Sequence, residues 1–236
     1  SLADAHIIYE RRNFSGDPIE KAYLEGFRLG DLHVKMANDG SGSVTIVVEC
    51  TSTKDAQIDL LCQLFSPYGR YQVKTRSGGV RSFRCYLDTS FDFLLPKRDS
   101  LPAWVIRSLE DGDKGSCAAW LAGYIDAEGS FIVGKDRKAQ FIVDSYDVNA
   151  LRQTHTLFNR QFDILCPPLR LARPRGTPFA GKNGKQYYTN GDMWRLTVHR
   201  KASLDRLCCL LAPYLRHGDR REAMAKVWAN VLERGI

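Results

Sequence analysis

One pattern occurs twice in this chain. Leu24-Glu25-Gly26-Phe27-Arg28-Leu29-Gly30-Asp31 and Leu121-Ala122-Gly123-Tyr124-Ile125-Asp126-Ala127-Glu128 each place a leucine, a glycine two positions on, and an acid five positions after that glycine. The two acids, Asp31 and Glu128, are 97 residues apart. That spacing predicts duplicated halves of roughly one hundred residues rather than a short solenoid repeat. Small residues also recur four apart, Gly26 with Gly30 and Gly123 with Ala127. On a helix such residues share a face and permit close backbone approach. If the two helices pack there, both carboxylates arrive at the same end of the pair.

The sequence after each copy repeats as well. Residues 32–38 alternate apolar and polar, Asp39-Gly40-Ser41-Gly42 supplies a turn, and Ser43 to Glu49 alternates again, which reads as a hairpin. Residues 54–65 place Ile58, Leu61, Leu64 and Phe65 at helical spacing. A second hairpin spans Arg70–Arg76 and Val80–Leu87, and a helix near 102–109 closes the half. The second half predicts strands near 129–135 and 139–145, a helix near 148–158, and strands near 164–173 and 187–199 around a Pro/Gly/Lys-rich loop, 174–186. Helices near 202–212 and 219–233 follow. The expected organisation is an N-terminal half, 1–109, a polar linker, 110–116, and a C-terminal half, 117–236. Asp17, Pro18 and Glu20 suit the start of the first motif helix, and Ser116 suits the cap of the second.

Charge narrows the partner class. The net charge is +7, but it is −1 over residues 1–112 and +8 over residues 113–236. Arg70, Lys74, Arg76, Arg81 and Arg84 run without an intervening acid, as do Arg170, Arg173, Arg175, Lys182 and Lys185. Such stripes suit a polyanion. The odd number of cysteines, seven, without CxxC spacing, argues for reduced core thiols over a disulfide frame or zinc site. No apolar run approaches the roughly 20 residues of a membrane span. Ser1 to Phe14 lacks the apolar centre of a signal peptide, so the expectation is a soluble intracellular protein.

The two motifs resemble the LAGLIDADG motif of homing endonucleases. The second copy matches closely from Leu121 to Gly129, with Glu128 at the acidic catalytic position. The first keeps Leu24, Gly26, Gly30 and Asp31, but Glu25, Arg28 and Leu29 replace small or apolar residues and the first acid, and Leu32 replaces the final glycine. The resemblance covers about residues 18–230. It implies an α+β fold of duplicated αββαββα halves, pseudo-twofold in one chain. Each half would carry a four-stranded antiparallel DNA-binding sheet, with the motif helices packed at the centre.

It further implies a monomeric, metal-dependent endonuclease acting on double-stranded DNA at a long, non-palindromic site, in intron homing. Such an enzyme works in a prokaryotic cytoplasm or a DNA-containing organelle, with no membrane or small-molecule cofactor. Asp31 and Glu128 would bind Mg2+, with carbonyls near Gly30 and Ala127 as further ligands. Mn2+ is expected to substitute, and Ca2+ to support binding without cleavage. Asp126, opposite Leu29, is read as structural or as a group supporting the site. The amide that the family often carries near the end of its second strand is missing from Glu49-Cys50-Thr51 and Asp144-Ser145. Basic residues near the active site are Lys97 and Arg98 in the first half and Arg216 and Arg220 in the second.

Strand alternation turns Val34, Met36, Val44, Ile46, Val48, Tyr71, Val73, Phe83, Cys85 and Leu87 towards the helices. It turns His33, Lys35, Thr45, Glu49, Arg70, Gln72, Lys74, Arg76, Arg84 and Tyr86 towards DNA. In the second half Ser130, Lys138, Gln140, Asp144, Arg170, Arg173, Arg195 and Thr197 form the exposed set. Arg, Lys and Gln among them suit base edges, and others hold phosphates.

An RNA maturase assisting intron splicing would use the same fold and basic surface, and a DNA-binding regulator would use the same scaffold. Retention of both acids favours cutting. An intein is disfavoured because the chain does not end in His-Asn. Alanine at a base-reading residue among Arg70, Gln72, Lys74, Arg76 and Arg84 is expected to cost about 1–3 kcal/mol at one or two base pairs. Alanine at a phosphate contact should instead flatten the salt dependence by about one unit of slope. Binding profiles at several salt concentrations measure both, with Arg28, away from the sheet, as control.

Overall fold

The computed structural model describes residues 11–38, 44–181 and 185–235. The Asp39–Gly42 turn and Lys182 lie outside the described residues. Helix α1 (Pro18–Gly30) precedes the hairpin β1 (His33–Asn38) and β2 (Val44–Ser52), helix α2 (Asp55–Phe65), and the hairpin β3 (Tyr71–Thr75) and β4 (Arg81–Leu87). A 3-10 segment, Thr89–Leu94, and α3 (Ala103–Glu110) follow. The second round runs α4 (Lys114–Glu128), β5 (Gly129–Val133), β6 (Ala139–Ser145) and α5 (Val148–Gln161). It continues with β7 (Arg170–Arg173), β8 (Pro178–Ala180), β9 (Gln186–Tyr188), β10 (Met193–Val198), α6 (Lys201–Leu211) and α7 (Gly218–Glu233).

The duplication extends to strand order. One antiparallel sheet runs β1-β2-β4-β3 and the other β5-β6-β10-β7. No helix among the described residues is long and apolar enough to cross a membrane. All seven cysteines are free.

Two compact units divide the chain. One holds the chain up to Asp17 together with Asp31–Lys97, and the other holds Pro18–Gly30 with Arg98–Ile236. The first motif helix therefore belongs to the second unit. The linker is shorter than 110–116. Glu110 ends α3 and Lys114 begins α4, leaving residues 111–113 between them. Asp113, not Ser116, caps α4: its Oδ1 accepts from the Gly115 amide at 2.8 Å, and Ser116 Oγ donates to its Oδ2 at 2.8 Å. An acid at the cap also meets the positive end of the helix dipole.

In the first unit, α2 packs on β2, β3 and β4 over Ile46, Val48, Phe83 and Cys85, all at most 1% exposed. Alternation misplaces several neighbours. Met36, Val44 and Tyr71 are 56%, 37% and 40% exposed. Met36 and Tyr71 lie on the edge strands, and Val44 sits at the sheet end opposite Asn38. Thr45, expected outside, is only 6% exposed and donates its hydroxyl to the Leu87 carbonyl at 2.8 Å. The cause is the Thr89–Leu94 segment, which packs against β2 and is anchored by Phe91, 4.9 Å from the Tyr68 ring and 5.3 Å from Phe14.

In the second unit, α5, α6 and α7 pack on the sheet. Residues 164–169 form no strand, and the 174–186 loop carries part of a separate hairpin, β8–β9. Eleven of the fifteen residues of α4, Ser116 to Asp126, are buried. A helix apolar all round must be enclosed on every side. α1 encloses one side. A Cβ at Gly26 would lie 2.0 Å from the Trp120 carbonyl oxygen, and one at Gly123 would lie 2.0 Å from that of Tyr23. The two backbones touch, and only glycine leaves room.

Gly26→Ala or Gly123→Ala should therefore destabilise by about 1–3 kcal/mol or more, since a methyl group must force packed helices apart. Gly218→Ala, with nothing within 4 Å of its added Cβ, should be near neutral. Equal denaturant midpoints for all three variants would contradict close helix packing.

Candidate active site and nucleic-acid interface

The helix pair brings its two C-terminal ends together. A Cβ at Gly30, the last residue of α1, would lie 2.6 Å from Ala127 Cβ and 2.8 Å from Glu128 Oε1. The Glu128 carboxylate thus lies over the α-carbon of Gly30, in a cradle that any side chain would fill. Tyr124, one turn earlier on α4, is 1% exposed. Burial pushes its hydroxyl pKa upward, Ser145 opposes the shift, and Glu128 and Asp147 reinforce it.

Asp31 follows Gly30 and is exposed. Within the first unit its Oδ2 accepts from Gln57 Nε2 at 3.0 Å, and Gln57 is 5% exposed. An amide therefore meets Asp31 from the first turn of α2, while Glu49-Cys50-Thr51 at the end of the second strand carries none. Gln57 lies five residues beyond the end of β2, so the strand's own sequence does not show it. The available signal was a glutamine on the apolar side of a helix, in line with Leu60, Leu61 and Leu64. Cys50 also lies near Asp31. Burial, reinforced by that charge, pushes its thiol up to about 12, so it stays neutral.

Asp126 has a structural task. It is 0% exposed, and its Oδ2 accepts from Tyr23 Oη at 2.6 Å, the Arg216 amide at 2.7 Å and the His217 amide at 3.1 Å. One oxygen ties α1, α4 and the turn before α7. The Arg216 guanidinium stacks on the Tyr23 ring at 4.6 Å, and the charge of Arg220 acts on Asp126. Arg216 and Arg220 therefore gather round Asp126. Burial pushes the Asp126 pKa up, while the Tyr23 hydrogen bond, the two amides and Arg220 pull against it. In the first motif, Glu25 is 8% exposed and accepts from Trp104 Nε1 of α3 at 2.7 Å. Arg28 is also buried, at 8% exposure, so Arg28→Ala is a poor control because it opens the core. Lys97 and Arg98 are exposed.

The open face of the first sheet carries His33, Lys35, Arg70, Lys74, Arg76 and Arg84 exposed, with Gln72 and Tyr86 half-buried. A depression of about 190 Å3 lies among Glu49, Gln72, Lys74, Arg76, Ser82 and Arg84. Glu49 pairs with Arg84 at 2.6 Å and Lys35 at 3.2 Å. Partial burial raises its pKa, but the two cations outweigh that and hold it below the usual carboxylate range. In the second sheet, Arg170, Arg173 and Lys138 are exposed, and Ser130, Gln140, Arg195 and Thr197 are half-buried. Lys138 pairs with Asp136 in the β5–β6 turn at 2.9 Å. No cluster of three or more His, Cys, Asp or Glu suited to a metal occurs among the described residues.

No protein-family model and no curated protein sequence matches the chain. Solved structures do. The chain is similar to I-DmoI in complex with DNA and calcium, with TM-score 0.54, 12% identity, and 88% of this chain and 96% of that chain covered. It is similar to the LAGLIDADG meganuclease I-AabMI bound to uncleaved DNA, with TM-score 0.53, 13% identity, and coverage of 91% and 92%. It is also similar to the homing endonuclease I-WcaI bound to its DNA recognition sequence, with TM-score 0.53, 14% identity, and coverage of 88% and 86%. The chain has the fold of the LAGLIDADG homing endonucleases, as the repeated motif implied.

Asp126 yields a test. Asp126→Ala leaves a hydroxyl and two amides without their acceptor and should cost at least about 1–3 kcal/mol. Asp126→Asn keeps an oxygen acceptor and should cost less. Because the folded pKa is raised, the native chain holds this proton longer than the unfolded chain. Its contribution to stability therefore falls as pH rises from the ordinary aspartate range to the raised value. Denaturation midpoints against pH should show this downward slope in the unchanged chain relative to Asp126→Asn. Parallel profiles would contradict it.

Proposed function

We propose that this chain is a site-specific double-strand DNA endonuclease that hydrolyses phosphodiester bonds with a divalent metal, acting as a monomer on a long, non-palindromic site. The observation that carries this reading is the meeting of the two motif-helix ends, with Glu128 seated over Gly30 and Asp31 next in the chain. A carboxylate at the negative end of a helix dipole is unfavourable. Two such ends together call for a cation, and carboxylates with helix-end carbonyls are the hard oxygen donors that Mg2+ takes. Asp31, Glu128 and the carbonyls of Gly30 and Ala127 are the proposed ligands. A divalent ion there would supply activated water and stabilise the leaving oxygen. The related fold of I-DmoI was solved with DNA and calcium and with DNA and manganese, which supports divalent metal use. Mn2+ should substitute for Mg2+, and Ca2+ should support binding alone.

The chain's own groups divide the remaining work. Gln57 holds the Asp31 carboxylate in one orientation. The neutral Tyr124 hydroxyl limits the negative charge beside Glu128. Arg216 and Arg220 keep the helix pair in place through Tyr23 and Asp126, and Lys97 and Arg98 offer cations to phosphate. The two basic sheet faces bind the duplex. One acid from each motif implies one cut per strand. Such an enzyme works where DNA is, in a prokaryotic cytoplasm or a DNA-containing organelle.

Selection of cleaved sequences from a randomised duplex library with Mg2+ tests the activity, and recovery of no cut sequence would count against it. Asp31→Asn and Glu128→Gln should each abolish double-strand cleavage and leave binding in Ca2+ intact. Gln57→Ala, which frees a ligand without removing it, should lower the cleavage rate roughly 10- to 100-fold. Normal cutting by either acid variant would remove that acid from the catalytic role.

A further inference from the structure

Each four-stranded sheet holds one carboxylate among its strand residues: Glu49 in the first and Asp144 in the second. Each stands directly across from an arginine on the neighbouring strand, Glu49 opposite Arg84 and Asp144 opposite Arg195. Each forms an ion pair with it. Arg84 Nη2 lies 2.6 Å from Glu49 Oε1. Arg195 grips Asp144 with two parallel bonds, Nε to Oδ1 at 2.6 Å and Nη2 to Oδ2 at 2.5 Å. None of the ion pairs found among the described residues involves Lys74 or Arg76, which are exposed on the first sheet.

Two acids on otherwise basic faces need a reason. Partly exposed ion pairs contribute little to stability, and a carboxylate turned towards phosphates repels them. The acids are tolerable where base edges, not phosphates, approach. There a carboxylate fixes the planar guanidinium before binding, so little rotamer freedom remains to be lost. The outer N–H groups of the fixed arginine suit the O6 and N7 acceptors of guanine.

We propose that Glu49–Arg84 and Asp144–Arg195 are the base-reading elements of this chain, each specifying a G·C pair, while Lys74 and Arg76 hold phosphates. This rests on the DNA-endonuclease reading and adds its specificity. The two pairs do not occupy equivalent rungs. Glu49 faces His33, two residues past Asp31. Asp144 adjoins Val143, whose partner is Gly129, the residue after Glu128. Counted from its own motif acid, the second pair is the nearer, so the two G·C pairs stand at unequal distances from the cuts.

The test uses the full chain with randomised duplex DNA in Ca2+, followed by single base-pair substitutions in the selected site. Arg195→Lys and Asp144→Asn should relax preference at the same G·C position by roughly 10- to 100-fold. Arg84→Lys and Glu49→Gln should do so at a second position. All four should leave the salt slope unchanged. Lys74→Ala should weaken every sequence alike and lower the slope by about one. Thermal melts identify variants that fail to fold, and either pair suffices alone. Folded variants with unchanged base preference, or with an altered salt slope instead, overturn the proposal. If the unchanged chain binds no duplex, the endonuclease reading fails first and takes this proposal with it.

Discussion

The carbonyls of Trp120 and Tyr23 lie where any side chain on Gly26 or Gly123 would have to go. That steric constraint holds α1 against α4 at backbone contact, and the rest of the second unit is arranged round it. A helix buried along eleven residues offers few places for polar groups, and several of those round it are tied to neighbouring elements. Asp126 collects Tyr23 and the amides before α7, Glu25 meets Trp104 from α3, and Asp113 closes the start of α4. At the far end of the pair the same closeness seats Glu128 over Gly30. The placement of Glu128 at the meeting of the helix ends is thus a consequence of helix packing.

The two motif acids are supported differently. Asp31 is held by a buried glutamine from α2, whereas Glu128 sits above a glycine with the buried Tyr124 one turn away. The pattern in the chain is the same, but the environments are not, because the second copy lies wholly in one unit and the first ends at a boundary between two.

Charge on the sheets follows a similar rule. The net charge is +7, yet Arg84 and Arg195 do not stand free; each is restrained by the lone strand carboxylate of its sheet. The sheet cations divide into those held by an ion pair across strands, such as Arg84 and Arg195, and those outside the ion pairs found among the described residues, such as Lys74 and Arg76. That division has no counterpart in the charge total, since it depends on which residues face each other across strands.

The duplication, the helix–hairpin–helix–hairpin order, the glycine contacts and the two motif acids were all legible in the sequence. Local rules govern them: periods of 3.6 and 2, turn residues, and the absence of side chains where backbones meet. Alternation also named the face of most strand residues. It does not name what lies over that face: it points Thr45 outside, where the Thr89–Leu94 segment packs on its strand, and Met36 and Tyr71 inside, where edge strands leave them exposed. Gln57 reached Asp31 across 26 positions of chain, and the cap of α4 moved from Ser116 to Asp113 through a short turn after α3. Periodicity shows how a side chain points within its own element. Only the packing of elements decides what it meets.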